Sequence, residues 1–570
     1  MSGSSANRNA LARWALVALT LWTLLVRLYG VDFGVPCLKE ADTFIADHVR
    51  MLREGKQGDQ LFDRALSACQ YPSLLATLAE PLSDATLEPP PEPVTLKEHL
   101  AAAARVWVDL RTLVAVLSVL VVPGTFFIAR RFASERWALF AAALVSFSLL
   151  HVMFSQEARA HGAVVGFSAC AVACALWLRR TPSTLAYVAT AIFAAFAVGT
   201  LHNGLAVLAP IGVAQLARRD RRWWDLRMLV VLALAAASFR TFYWYYFDEA
   251  AQKAMAGDDA TQGVLRDLPF DGTGFLRLAR TIWYYEPALT LLVAVACGTW
   301  LARKRLPTGE ANVETGDALV VLSYVVPYLL LAGLFNQTYE RFLLSLLPFL
   351  ATFAAWALER LSLRARAVAP AALLLLALPL AASTKLSWMR GQGSTLDDAA
   401  QWITEHAPQP EATPFYVLPP LDFPLMRTTE SLRHPEGRAG FFSPWSRYQN
   451  KLADERRVAP LYRLYWISGK PEFGALESDE EADAFLRSHG PGFYVSYGVA
   501  IQQSPERAML VASMRRVGTR VARFSPDGDP EFTNHQLWDQ DVEADGWPHV
   551  TWRVLRARTV GPVIEVFELR

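Results

Sequence analysis

A mainly α-helical, polytopic membrane protein with a soluble α/β domain at its C-terminal end is the fold class that the sequence predicts. Three observations predict it. Of the 570 residues, 53% are hydrophobic and only 19% charged. That balance is too apolar for an ordinary soluble protein and too polar for membrane helices alone. About eleven apolar stretches of near-spanning length fall before residue 385. From about residue 386 onward the composition becomes that of a soluble domain. The net charge of +1 offers no electrostatic argument for a nucleic-acid partner.

The chain begins with a polar decapeptide carrying Arg8, then an apolar run over about 11–30. The run lacks a small-residue cleavage site, which predicts a retained helix rather than a signal peptide. A polar loop over 31–105 follows. Further spans are expected at about 106–128, 137–155, 163–179, 183–201, 204–217, 226–246, 281–301, 318–336, 342–359 and 367–384. Basic residues mark every second exit: Arg130, Arg131 and Arg136; Arg179 and Arg180; Arg218, Arg219, Arg221 and Arg222; Arg303, Lys304 and Arg305; Arg360, Arg364 and Arg366. The positive-inside rule then puts the N-terminus in the cytoplasm of a cell (inner) membrane and the C-terminal domain outside.

The loop reads as two amphipathic pieces. Thr43–Glu54 places Phe44, Ile45, Val49 and Leu52 near helical spacing and ends at Gly55. Tyr71–Ala79, apolar after Pro72, is expected to lie in the interface plane. Cys37 and Cys69 bracket the first piece on the oxidising side. A disulfide between them would staple the loop, worth roughly 3–4 kcal/mol; two separate buried thiols are the alternative. Cys170, Cys174 and Cys297 fall inside apolar segments, where thiols behave as small hydrophobes. No CxxC pair or His/Cys cluster in the sequence suggests zinc.

At the head of the loop stands Lys39-Glu40-Ala41-Asp42-Thr43-Phe44. A carboxylate at the membrane surface can serve as a general base. Glu40 and Asp42 could equally be loop charges or a cap for the following helix. The other polar clusters also sit at the outer ends of spans. They are Gln70-Tyr71-Pro72, Ser155-Gln156-Glu157-Ala158-Arg159-Ala160-His161, His202-Asn203, Trp283-Tyr284-Tyr285-Glu286 and Gln337-Thr338-Tyr339-Glu340-Arg341. They therefore converge on the outer face, whereas a channel lining would scatter polar residues through the depth of the helices. Arg111 lies inside the second span near its outer end. It should find a carboxylate or phosphate partner, or else snorkel to the interface.

Asp109-Leu110-Arg111-Thr112-Leu113, the Arg130-Arg131-Phe132 exit and above all His151–His161 resemble the GT-C superfamily of membrane glycosyltransferases. The nearest branch is the protein O-mannosyltransferase and aminoarabinose (lipid A) transferase type. Tyr71-Pro72, His202, and Arg341-Phe342 with Pro348 fall at the places that pattern expects, and the resemblance covers about residues 11–385. Where the family has adjacent Asp-Glu, this chain has Glu40-Ala41-Asp42; counting back from Gly55, Asp42 falls nearest the second acidic position. His161 replaces the usual Tyr and Ser73 a second Pro, which leaves the donor sugar open.

The resemblance implies transfer of a sugar from a polyprenyl-phosphate donor to a lipid, glycan or protein acceptor outside the cytoplasm. The leaving phosphate needs no general acid, so one base suffices: Asp42, with Glu40 beside it. In-line attack would invert the anomeric centre. Arg159, Arg341 and Arg111 are the expected phosphate ligands, because guanidinium matches phosphate bidentately. Glu157, His161, His202, Tyr71, Tyr285 and Tyr339 are expected to position substrate; interfacial packing is the alternative for the tyrosines, and an ordinary ion pair for Glu157 and Arg159. The resemblance makes no cofactor certain; a divalent metal is compatible with the family although no ligand cluster demands one.

In the C-terminal part, Asp397–His406 predicts a helix capped at Ser394 or Thr395, and Phe415–Leu418 a strand. A helical stretch is expected around 446–464, then strand Phe493–Tyr497, helix Pro505–Arg516, and strands Arg520–Phe524 and Val563–Phe567. This alternation suggests a small α/β layer domain over residues 386–570, apart from the membrane part at 1–385. A transporter or flippase of lipid-linked sugars, and a GT-C-like scaffold without activity, are the rival readings.

Overall fold

The computed structural model describes residues 3–37, 43–53, 72–83, 95–220, 222, 224–247, 270–302, 313–336, 338–407, 409–418, 421–434, 443–467, 476, 478–497, 505–527 and 549–570. Helices α1 (Gly3–Leu28), α2 (Thr43–Arg53), α3 (Leu74–Ala79), α4 (Leu96–Ser118), α5 (Val121–Ala129) and α6 (Glu135–Ser146) come first. Next are α7 (Leu149–Ser155), α8 (Ala160–Arg180), α9 (Thr184–Thr200), α10 (Leu208–Leu216), α11 (Arg227–Phe242) and α12 (Thr273–Tyr285). The bundle is completed by α13 (Pro287–Leu301), α14 (Thr315–Leu334), α15 (Leu347–Ser362) and α16 (Val368–Arg390).

Each expected span coincides with a helix, but not each is a full span. Six stretches among the described residues are long and apolar enough to cross a membrane singly. They are Ala10–Leu28, Leu96–Ala129, Ala160–Arg180, Thr315–Leu334, Glu340–Ser362 and Val368–Arg390. Two bent pairs raise the number to as many as eight: α6 with α7, broken by 54°, and α12 with α13, broken by 120°. The expected spans at 183–201, 204–217 and 226–246 correspond to shorter helices, α9, a 3-10 turn His202–Val207 leading into α10, and α11. The chain is a multi-pass membrane protein by these apolar helices.

Local chemistry explains the helix ends near the site. α4 starts on a capping box, in which the Thr95 N–H donates to Glu98 Oε2 at 2.7 Å and the Glu98 N–H to Thr95 Oγ1 at 3.4 Å. Pro287 occupies the first turn of α13, where its missing N–H costs nothing. Gly166 lets α8 lie against the end of α4: a Cβ there would meet the Leu117 carbonyl oxygen at 2.8 Å. At the other end of α8, Arg179 and Arg180 are ion-paired with the buried Asp317 of α14, and Glu314 joins Arg179 to Arg219. Three of the basic residues that set the predicted orientation are thus latched to carboxylates.

The C-terminal residues build a five-stranded sheet in the order β2-β1-β3-β5-β4. Its strands are β1 (Pro414–Val417), β2 (Arg463–Trp466), β3 (Gly492–Tyr497), β4 (Thr519–Phe524) and β5 (Ile564–Leu569). β1 runs parallel to β2 and β3, and β5 antiparallel to β3 and β4. Helices α17 (Thr395–His406), α18 (Thr429–Arg433), α19 (Pro444–Lys451), α20 (Asp479–Ser488) and α21 (Pro505–Val517) accompany it. The helix expected over 446–464 is corrected: only α19 and a 3-10 turn at Asp454–Arg456 are helical, and the stretch ends in strand β2. The final helix, α22 (His549–Arg556), buries Val550 and Val554 in the hydrophobic core of the membrane bundle rather than under the sheet.

Direct bonds tie the C-terminal residues, α22 included, to the N-terminal part of the chain. The Trp445 N–H donates to the Pro36 carbonyl at 3.1 Å. His99 Nδ1 lies 2.8 Å from the Tyr448 hydroxyl. Lys385 Nζ donates to the Leu555 carbonyl at 2.6 Å, and Thr551 Oγ1 to the Tyr285 carbonyl at 3.0 Å.

Candidate functional site

The site is built around the end of α1. After Leu28 the chain turns through Gly30 (φ 72°), whose missing Cβ would stand 2.6 Å from the Gly391 nitrogen. Glycine alone tolerates both that conformation and that approach. The strap that follows is held by its own carbonyls. Arg111 Nη1 donates to Val31 O at 2.9 Å and to Phe33 O at 2.8 Å. The Phe33 ring faces two guanidiniums, Arg111 at 4.4 Å and Arg390 at 3.8 Å from its centroid. Arg111 is fully buried and does not snorkel.

The turn between α7 and α8 meets this strap. Gln156 Nε2 donates to Val26 O at 3.1 Å, Tyr29 O at 2.8 Å and Ser387 Oγ at 3.1 Å, so one amide ties α1, α7 and α16. Its Oε1 accepts from Arg390 Nη1 at 3.0 Å, and Arg390 also reaches Met153 O at 3.2 Å. Glu157 stands between two arginines, with Arg159 Nε at 3.5 Å and Arg390 Nη2 at 3.6 Å. Both partners of the Glu157–Arg159 pair are over nine-tenths buried, which favours a specific arrangement over a solvated loop. His161, in the first turn of α8, packs against Phe154. Arg341, in the 3-10 turn Glu340–Leu346, stacks on Tyr339 at 4.2 Å.

The structure thus pairs Glu157 with Arg159 just before His161, and packs the 3-10 turn that carries Arg341 against α7 and α8. It places Arg111 on the strap, bonded to carbonyls. His202 belongs to a separate aromatic group, edge-on to Tyr243 at 4.9 Å and 3.4 Å from the Tyr246 hydroxyl. Tyr285 is buried at the end of α12, where its carbonyl receives Thr551. Glu40, Asp42, Tyr71 and Cys69 lie outside the described residues. Cys37 is a free thiol buried in the core that the sheet shares, and Cys69, with which a bridge was expected, lies outside the described residues. Burial, then the nearby Asp422 and Asp397 carboxylates, push that thiol well above its ordinary pKa.

Sequence reasoning missed Arg390, Gln156 as a hub, and Arg27. Arg27 is buried in the last turn of α1, with Nη2 2.9 Å from His151 Nδ1. A charge inside an apolar run was the signal for Arg27. Arg390 gave none, because charges just beyond a span are ordinary. Among the described residues no group of three or more His, Cys, Asp or Glu is arranged to hold a metal ion.

No family model matches the sequence, and no curated protein matches it. Among solved structures the chain is similar to ArnT from Cupriavidus metallidurans bound to undecaprenyl phosphate. The identity is 15% over 85% of this chain and 94% of that one, with a TM-score of 0.43. It is also similar to the apo oligosaccharyltransferase of Archaeoglobus fulgidus. There the identity is 12% over 91% of this chain and 74% of that one, with a TM-score of 0.45.

Proposed function

We propose that this chain is a GT-C-type membrane glycosyltransferase. It would take a sugar from a polyprenyl-phosphate donor and pass it, with inversion, to a lipid, glycan or protein acceptor on the extracytoplasmic face. The observation that supports this reading best is the buried Glu157–Arg159 pair next to His161, with the turn that carries Arg341 packed against the two flanking helices. A cationic group in low dielectric is suited to charge building on a leaving phosphate. The acceptor oxygen or nitrogen attacks the anomeric carbon, the bond from that carbon to the phosphate oxygen breaks, and the phosphate leaves with the electron pair. Asp42, with Glu40, takes the acceptor proton. Arg159 and Arg341 hold the phosphate; Glu157 holds Arg159 in place and neutralises part of the charge. Residues 1–385 form the membrane part with the N-terminus cytoplasmic, and residues 386–570 form the extracytoplasmic domain.

Mass spectrometry of polyprenyl-linked sugars in cells with and without the protein tests this. One polyprenyl-phosphate monosaccharide should accumulate in its absence and clear when the wild type, but not Asp42→Asn, is restored. An unchanged lipid-sugar pool would sink the reading. Clearance by Asp42→Asn would remove Asp42 as the base, and clearance by Asp42→Asn and Glu40→Gln alike would remove a first-loop base altogether.

A further inference from the structure

Glu286 occupies the 120° joint between α12 and α13 and is turned into the bundle, 3% exposed. Its Oε1 accepts from Ser148 Oγ at 2.6 Å and from the Leu150 N–H at 3.0 Å. Ser148 is the N-cap of α7, and Leu149 and Leu150 open the helix, so a carboxylate from a distant element caps α7. The first turn of a helix leaves N–H groups unsatisfied and carries partial positive charge, both met by a buried carboxylate. The cap sits where α6 breaks from α7 by 54°, and at the far end of α7 begins the turn Gln156–Arg159. One residue before Glu286, the Tyr285 carbonyl is bonded to Thr551 of α22.

We propose that Glu286 is a positioning residue: it fixes the direction of α7, and through it the placement of Glu157 and Arg159, and it relays the seating of α22 to that turn. The inference rests on the glycosyltransferase reading for its ligand but not for its geometry. Glu286→Gln keeps the shape and one acceptor oxygen and removes the charge. It should weaken binding of undecaprenyl phosphate in detergent micelles about tenfold, the size of a partly buried charge at a helix N-terminus. The melting temperature should stay close to wild type, and Glu286→Asp should recover part of the affinity. Hydrogen exchange should quicken at the amides of residues 149–151 and not in α8.

Equal affinity of wild type and Glu286→Gln would overturn the proposal. If the wild type itself fails to bind undecaprenyl phosphate, the functional reading falls, while the exchange measurement still decides this one: unchanged protection of α7 overturns it. Should Glu286→Gln not fold, Ser148→Ala removes one donor to the same oxygen and must show the same changes, smaller; no change overturns the proposal.

Discussion

Replacing Arg390 by Met tests the packing that assembles the site. Arg390 closes α16 and, among the described residues, touches Met153 O at 3.2 Å, Gln156 Oε1 at 3.0 Å, Glu157 Oε1 at 3.6 Å and the Phe33 ring at 3.8 Å. Removing one member of a buried ion pair costs about 3–5 kcal/mol, largely because the remaining charge is stranded. Here Glu157 keeps Arg159 at 3.5 Å, and the Met side chain refills part of the volume. Both soften the loss, so about 3 kcal/mol is expected. Arg390→Lys keeps the charge but loses the flat face on Phe33, and should cost less. Thermal unfolding of the purified protein, followed by tryptophan fluorescence, should rank wild type above Arg390→Lys above Arg390→Met. Adding Glu157→Gln to Arg390→Met should restore part of the loss, because it removes the under-compensated carboxylate. Coincident melting of Arg390→Met and wild type, or strictly additive effects in the double variant, would refute the reasoning.

Three further outcomes follow from groups near the strap. Burial holds His48 of α2 neutral, with its pKa pushed down to about 4 from 6.5. The unfolded state therefore binds its proton first, and the docking of α2 should be intact above pH 6.5 and weaken as pH falls towards 4, by about 3 kcal/mol at the acid end. Hydrogen exchange of residues 43–53 across that range checks it; His48→Gln should flatten the response. Cys37 should resist maleimide in the folded protein and react on unfolding without any reductant, and labelling that appears only after reduction would show a bridge instead. Gly30→Ala should lower the melting temperature. It combines a left-handed residue, roughly 1–2 kcal/mol, with a backbone contact at 2.6 Å, and a variant melting like wild type would show that the strap can move away from Gly391.

The parts of the fold legible in the sequence were those with strong periodic or compositional contrast. Long apolar runs placed the long helices of the bundle, and the turn 155–161 stood out because five polar or charged side chains interrupt apolar sequence. Helix length was less legible, since α9, α10 and α11 read as spans by hydropathy although their ends fall short. β2 was read as helix because four residues are too few to show alternation. Arg111 was expected to meet a carboxylate or phosphate or to snorkel; it meets carbonyls of a non-helical strap, which carry no sequence signal. Arg390 and Glu286 come within reach of the turn only through the tertiary fold, from 233 and 129 residues beyond Glu157. α22 looked like part of the soluble domain by position; its buried face belongs to the bundle.

The short helices have a consequence for the lipid around them. At 1.5 Å per residue, the 17 residues of α9, 16 of α11 and 15 of α13 reach only about 26, 24 and 22 Å, against a hydrocarbon thickness of about 30 Å. α9 packs along α11, so the deficit is shared by neighbours on one flank. Hydrophobic mismatch of several ångströms is relieved by local thinning of the bilayer. Where the bilayer thins on that flank, headgroups dip towards the midplane and the water boundary comes closer to the helix ends.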